Sequence, residues 1–344
     1  MHTAELRPED KDRWDSYVGR STTATFFQLS EWQHILDSVW GCETHYLYAE
    51  EGGELAGVLP LFRVKSRLFG HYFSSLPGGL SADNELASRA LVHSANELVR
   101  QKNAQYLVIR DSRAAWNLPQ LVVTQDHFTF VASLSADTDE IWSRIRYKER
   151  GQIEKATAQG IELQISSEMT DEFYHVYCRA MHAKGTPPYS RELFTKLLQT
   201  FPSSFVLLTV RANEHIAAGG FIAPFNDTVH CTWAAIPPES YSLNASHLLL
   251  WGTMRYGCEN GLRRVDLGRS LRGSGSFRFK SHWGAEAQPL YQHYYLNTIA
   301  EAPEVGAARQ KNATARLLTK SWQHMPLWLT QRLGAHVRKR VPFG

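Results

Sequence analysis

Cysteine is scarce: Cys42, Cys178, Cys231 and Cys258 are the only four in 344 residues, and no two form a CxxC pair. Such spacing argues against a disulfide framework and a cysteine-based zinc site, and fits a reducing compartment. The 15 histidines supply no HExxH or comparable cluster, so no metal is expected. Long apolar runs are missing as well. None approaches the roughly 18 residues of a membrane-spanning helix, and the charged opening MHTAELRPEDKDRWDSY does not read as a signal peptide. A cytoplasmic protein is the expectation. Excess charge of one sign is also absent: the net charge of +3 is too mild for a DNA-binding protein, and none is expected as partner. No Ser-His-Asp or Cys-His set stands at a recognisable spacing, so direct transfer is simpler than chemistry through a covalent enzyme intermediate.

What is present is a globular composition. Hydrophobic residues make up 43% and aromatics 12%, enough for real cores, and 21% charge is far from a disordered profile. The length suits about two domains. Basic charge concentrates at the end: from Glu301 onward eight Lys/Arg face two acidic residues, +6, which leaves −3 for the first 300 residues.

One stretch stands out, VDLGRSLRGSGSFRFKSHW from Val265 to Trp283. It begins as a short alternating strand, passes through a Gly/Ser/Arg loop and ends among aromatics. Glycines expose backbone N–H groups and Arg forks match phosphate oxygens, so such a loop can hold an anion. A solvated basic linker would have the same composition. The extended reading of 277–281 puts Arg278 and Lys280 on one face and Phe277, Phe279 and Ser281 on the other.

Around it the pattern predicts a mixed α+β chain. Helices near Pro8–Tyr17 and from Glu31, with Ser30 as its cap, precede strands at His45–Ala49 and Leu55–Val64, joined by Glu51-Gly52-Gly53-Glu54. Pro60 inside the second strand implies an edge or a bulge. A helix capped by Asp83 or Asn84 leads to strands at Gln105–Arg110 and Phe128–Leu134. A basic helix then runs from Thr138 to Gly160 with an interruption at Gly151. A strand at Glu162–Ile165, a helix capped by Asp171, a helix from Arg191, and strands at Phe205–Ala212, His215–Pro224 and Thr228–Ala235 follow. Next come the helix Ala245–Glu259, a strand Arg263–Leu267 and a last strand Gln288–Leu296. The order of elements repeats, which divides the chain into residues 1–135, 136–300 and a basic helical tail, 301–344. The tail's helices, Ala307–Trp322 and Leu327–Val337, part at Pro326. Its stripe of Trp322, Leu327, Trp328, Leu329, Leu333 and Val337 beside Arg332, Arg338, Lys339 and Arg340 suits docking on the body, or a peripheral membrane contact through residues 322–340 at the inner face.

GVLPLF (57–62), FSSLPGG (73–79), SRIRYKERGQIEKATAQGIEL (143–163), FYHVYCRAMHAKGTPPYSRELFTKLL (173–198) and above all VDLGRS (265–270) with FRFKSHWGAE (277–286) resemble the Fem-type aminoacyltransferases. More closely, they are similar to FemAB-related GNAT-like proteins of the exosortase and exopolysaccharide type. The resemblance covers roughly residues 20–298 and implies tandem duplicated GNAT-like domains; the helical C-terminal extension falls outside it. It further implies a cytoplasmic N-acyltransferase with acyl-CoA as donor co-substrate, no tightly bound cofactor, and an amine of a cell-envelope or polysaccharide precursor as acceptor. The better-known members take aminoacyl-tRNA. The basic helix here leaves no room for their long two-helix arm, which weighs against tRNA.

In that setting Lys280 is a candidate to stabilise a phosphate or an oxyanion, and Asp266, at the end of a strand, to orient and deprotonate the attacking amine. Tyr241 joins them as a catalytic candidate. Arg269, Arg272 and the Gly273-Ser274-Gly275-Ser276 amides, with Asn244 at the start of a helix, are candidates for donor phosphates. Arg278, Trp283, His182, Lys184, Tyr189, Arg144 and Lys148 are candidates for the acceptor. Each also has a plainer reading as surface charge, helix cap or core. Two alternatives stand beside the enzyme from acyl-CoA: a Fem-like transferase using charged tRNA, and a non-catalytic adaptor of polysaccharide machinery.

Overall fold

A computed structural model describes residues 1–66, 70–166, 168–202, 204–303 and 312–340. The first pass along the chain gives β1 (His2–Glu5), α1 (Lys11–Arg20), α2 (Trp32–Trp40), β2 (Glu43–Glu51), β3 (Glu54–Ser66), β4 (Gly70–Ser75), β5 (Ser81–Ala82), α3 (Glu85–Gln101) and β6 (Tyr106–Ser112). After β7 (Val122–Ser133), α4 (Thr138–Arg144) and α5 (Tyr147–Ala158) the same succession returns. It comprises β8 (Glu162–Ser166), α6 (Asp171–Ala183), α7 (Arg191–Thr200), β9 (Val206–Ala212), β10 (His215–Phe225), β11 (Thr228–Ala235), α8 (Ala245–Glu259) and β12 (Arg264–Asp266). The chain ends with β13 (Ser270–Leu271), α9 (Gly275–Lys280), β14 (Glu286–Leu296), α10 (Ala313–His324) and α11 (Leu327–Arg340).

Two compact units result. The first is Met1–His127 with Pro289–Val305 and Lys339–Gly344; the second is Phe128–Gln288 with Gly306–Arg338. The sequence reading places the last strand, up to residue 300, with the second half, whereas Pro289–Val305 sits in the first unit, where β14 hydrogen-bonds to β6.

In the first unit the strands lie in the order β1-β2-β3-β4-β6-β14, antiparallel except for β4 and β6. Alternation along the strands turns Leu59, Leu61, Phe73, Leu107 and Ile109 to one face, and the 3.6-residue repeat of α3 lays Leu91, Ala95 and Val99 on it. Asn84 caps α3, accepting from the Ala87 N–H at 2.9 Å. Pro60 is neither at an edge nor in a bulge: it faces Tyr46 of β2, where the other side of β3 changes partner from β5 at Val58 to β4 at Leu61. That gap accommodates a residue without an N–H.

The second unit repeats the plan, β8-β9-β10-β11-β12-β7, antiparallel except for β11 and β12. On one face Phe130, Val210, Ile222, Val229 and Val265 meet Leu249 and Met254 of α8 and Ile153 of α5. On the other, Phe194 of α7 stacks on Phe221 and meets Trp233 edge-on, and Phe173 of α6 meets Phe221 edge-on. Phe130, Phe173, Phe194 and Phe221 are fully buried, each contributing about 1.5–3 kcal/mol. The basic helix breaks at Ile145, which is extended (ψ 136°), and not at Gly151, so Arg144 and Lys148 stand on different helices.

The tail docks on the second unit. Gln323 donates to Ala183 O (2.7 Å), His182 Nε2 lies 2.9 Å from Met325 O, and Arg338 donates to Pro187 O (2.9 Å) while covering the Tyr189 ring. Residues 307–311 of the expected first tail helix lie outside the described residues. Among those described, no helix is long and apolar enough to cross a membrane.

Candidate active site

The parallel pair β11–β12 is short. Thr228 faces Arg264, Val229 faces Val265, His230 faces Asp266, and there the pairing stops. Beyond it β11 stays with β10 through a bulge: Phe221 pairs with Thr232 and Gly219 with Ala235, so Trp233 and Ala234 together oppose Gly220. Trp233 takes φ +40°, and a Cβ on Gly220 would lie 3.1 Å from Ala234 Cα. The two strands therefore diverge into a wedge with His230 and Asp266 at its apex.

Residues opposite each other across a sheet share a face, and so do residues two apart on one strand. His230, Asp266 and, from β7, Thr129 therefore come together, and all three are buried. Thr129 Oγ1 donates to Asp266 Oδ1 and the Gly268 N–H donates to the same oxygen at 2.8 Å. His230 Nδ1 stands 3.5 Å from Asp266 Oδ2. One oxygen of the carboxylate is thus held by Thr129 and Gly268, and the other faces the His230 imidazole.

Gly268, at φ +79°, turns the chain across the wedge; a Cβ there would lie 2.8 Å from Cys231 O and 3.7 Å from Lys280 Nζ. Lys280 fills the opening. Its Nζ donates to Gly268 O at 2.7 Å and to Arg269 O at 3.2 Å. Desolvation pushes its pKa down to about 8, Cys231 and Asp266 act in the opposite sense, and Lys184 lowers it further. Burial pushes the Cys231 thiol up to about 12.

Lys280 reaches this point because 275–280 is helical, not extended. Ser274 caps α9, accepting from the Phe277 N–H at 3.1 Å. Residues two apart on a helix diverge, so Arg278 turns away and donates to Gly273 O at 2.7 Å. Gly273, Ser274, Gly275 and Ser276 wind into the turn and first residues of that helix, with Ser276 2.8 Å from Ser270. The Arg272 guanidinium lies 4.5 Å from the centre of the Phe128 ring, and Arg269 is exposed.

The remaining candidates separate. Desolvation lowers the pKa of Lys184, whose like charge also lowers that of Lys280, whereas His182 and Tyr189 hold the tail. Trp283 is completely buried between Phe279 and His247, in the core of the second unit. Tyr241 is 59% exposed on the turn before α8. Asn244 adopts φ +56° at the start of α8 and its side chain makes no cap bond. Arg144 pairs with Glu140, and Lys148 is exposed. Among the described residues no group of three or more His, Cys, Asp or Glu could hold a metal.

Three residues escaped the sequence reading: His230, Thr129 and Glu149. Glu149 is buried, with Oε2 2.9 Å from His247 Nε2 and Oε1 2.9 Å from His282 Nδ1. It ties α5 to the first turn of α8 and to the turn after α9. A histidine within the apolar run Thr228–Ala235 was the one available signal for His230.

Residues 143–281 match an acetyltransferase (GNAT) domain family. No curated protein matches the chain. Among solved structures the fold is similar to that of FemX, with a TM-score of 0.65 and 14% identity over 87% of this chain and 98% of that one. It is similar to a tandem GNAT protein from the clavulanic acid biosynthesis pathway, solved without acetyl-CoA, with a TM-score of 0.56 and 12% identity over 88% and 99%. L-PGS from Bacillus licheniformis follows with 0.53 and 11% over 93% and 97%. At such identities the likeness is one of fold. Residues 143–281 are therefore similar to a GNAT-type acetyltransferase domain, and the mixed α/β fold is similar to that of FemX and of a tandem GNAT protein.

Proposed function

We propose that the wedge between β11 and β12 holds the acyl group of an acyl-CoA, and that the enzyme transfers it by direct aminolysis to an amine of a cell-envelope or exopolysaccharide precursor. The observation that carries this is the desolvated Lys280 ammonium at the mouth of the wedge, beside the Asp266–His230 pair. An attacking amine must be neutral. His230, oriented by Asp266, takes its proton as the C–N bond forms. Negative charge then develops on the thioester oxygen, where a fixed cation in a water-poor site acts most strongly, and Lys280 is placed to supply it. Collapse of the tetrahedral intermediate breaks the C–S bond, and the proton held by His230 goes to the departing thiolate. Cys231 is poorly suited to a covalent step, because burial keeps it a thiol.

Charged tRNA as donor is disfavoured by the size of α4 and α5, 7 and 12 residues, which form no long arm. A non-catalytic adaptor remains the reading if chemistry fails. Calorimetry with acetyl-CoA, longer acyl-CoAs and a charged tRNA separates the three. An acyl-CoA heat is the expected result; silence toward every donor would remove the enzymatic reading. Where turnover is measurable, Lys280→Ala should lower it at least about tenfold, equivalent to ~1.4 kcal/mol, and His230→Ala should lower kcat with little change in donor affinity.

A further inference from the structure

The two C-terminal helices have unlike faces. Inward, Gln323, Met325 and Arg338 hold α6 and the loop that follows it. Outward, both helices present large apolar side chains: Leu317 is 65% exposed, Leu318 66% and Trp328 65%. A surface helix with nothing to cover would place polar residues there. Arg316, Lys320 and Arg332 are exposed on the same two helices. Residues 312–340 contain six Lys/Arg and not one Asp or Glu.

We infer that the outer face of α10 and α11 is a contact surface for an anionic lipid bilayer. The apolar side chains are interleaved with cations along both helices, as suits a soft, uniformly anionic surface. A protein partner would have to present acidic groups in register, and nothing on this face fixes such a register. Neither helix is able to span a membrane, so the contact lies in the interface. The helices are already docked on the second unit, so binding needs no ordering of a free segment. This inference stands apart from the acyl-transfer reading, since none of its residues belongs to the wedge.

Vesicle flotation with the full chain tests it, using phosphatidylcholine doped with phosphatidylglycerol and phosphatidylcholine alone. The intact protein should float with the anionic vesicles, lose binding as salt rises, and remain below with the neutral ones. Each surface cation adds about fivefold, so Lys320→Glu with Arg332→Glu should weaken binding by more than tenfold. Leu317→Ser with Trp328→Ser should also weaken it, and all four positions are exposed enough to leave thermal unfolding unchanged. Absence of flotation, equal binding to neutral vesicles, or variants that bind like the parent would overturn the inference. A protein that ignores vesicles yet forms a larger species in light scattering would assign this face to a protein partner.

Discussion

Lys280 works against the fold that holds it. A lysine whose pKa falls to about 8, from an ordinary value near 10.4, binds its proton less tightly folded than unfolded, so stability rises as pH climbs through that window. Lys280→Met should therefore raise the unfolding temperature at pH 7, by an amount corresponding to roughly 1–3 kcal/mol, while abolishing turnover. Thermal melts across pH 7–11 check this, and the gain should shrink toward the alkaline end. If charged Lys280 is the active form, turnover by the parent declines above pH ~8, whereas Lys280→Arg, which keeps its charge, loses that decline. Gly268→Ala tests the turn across the wedge: φ +79° and the nearby Cys231 carbonyl should make it cost more than about 1 kcal/mol, read as a lowered melting temperature. Lys280 and Asp266 were legible because one short stretch carries them, while Gly268 in the same stretch was passed over for Gly273 and Gly275. His230 and Thr129 were not. They reach Asp266 from other strands, Thr129 from 137 positions away, and only the pairing register brings them there.

At the scale of elements, local signals were read well and long-range ones poorly. Thr228–Ala235 and Ala245–Glu259 come out with the bounds the sequence suggests, since alternation and helical period are local properties. The break between α4 and α5 was invisible, because Ile145 and Arg146 carry no breaker chemistry while Gly151, which does, is tolerated inside α5. The break lets α5 bring Glu149 to His247 and His282. Glu149→Ala should leave two imidazole groups without their acceptor, costing about 1–3 kcal/mol each in urea unfolding. Replacing His247 by Phe in the same protein should recover part of that loss. The short α9 was misread as extended, since its aromatic alternation imitates a strand; only Ser274 spoke for a helix.

For the whole molecule, duplication was the most legible property and the difference between the copies the least. Both units have a three-residue parallel pair in the same place: Tyr72, Phe73 and Ser74 against Tyr106, Leu107 and Val108 in the first, Thr228, Val229 and His230 against Arg264, Val265 and Asp266 in the second. Where the second has His and Asp, the first has Ser and Val. Ser74→Ala should accordingly cost about 1 kcal/mol of stability through its lost hydrogen bond and leave kcat unchanged, in contrast to His230→Ala. The first unit is also discontinuous, since β14, drawn from the far end of the chain, pairs with β6. A ribosome adding about 5–20 residues per second leaves the β6 edge bare for roughly 10–30 s after it emerges, long enough to recruit a foreign strand. A nascent fragment ending at His127 is thus an aggregation hazard, and a synthetic 286–305 peptide supplied in trans should keep it in solution, as sedimentation would show.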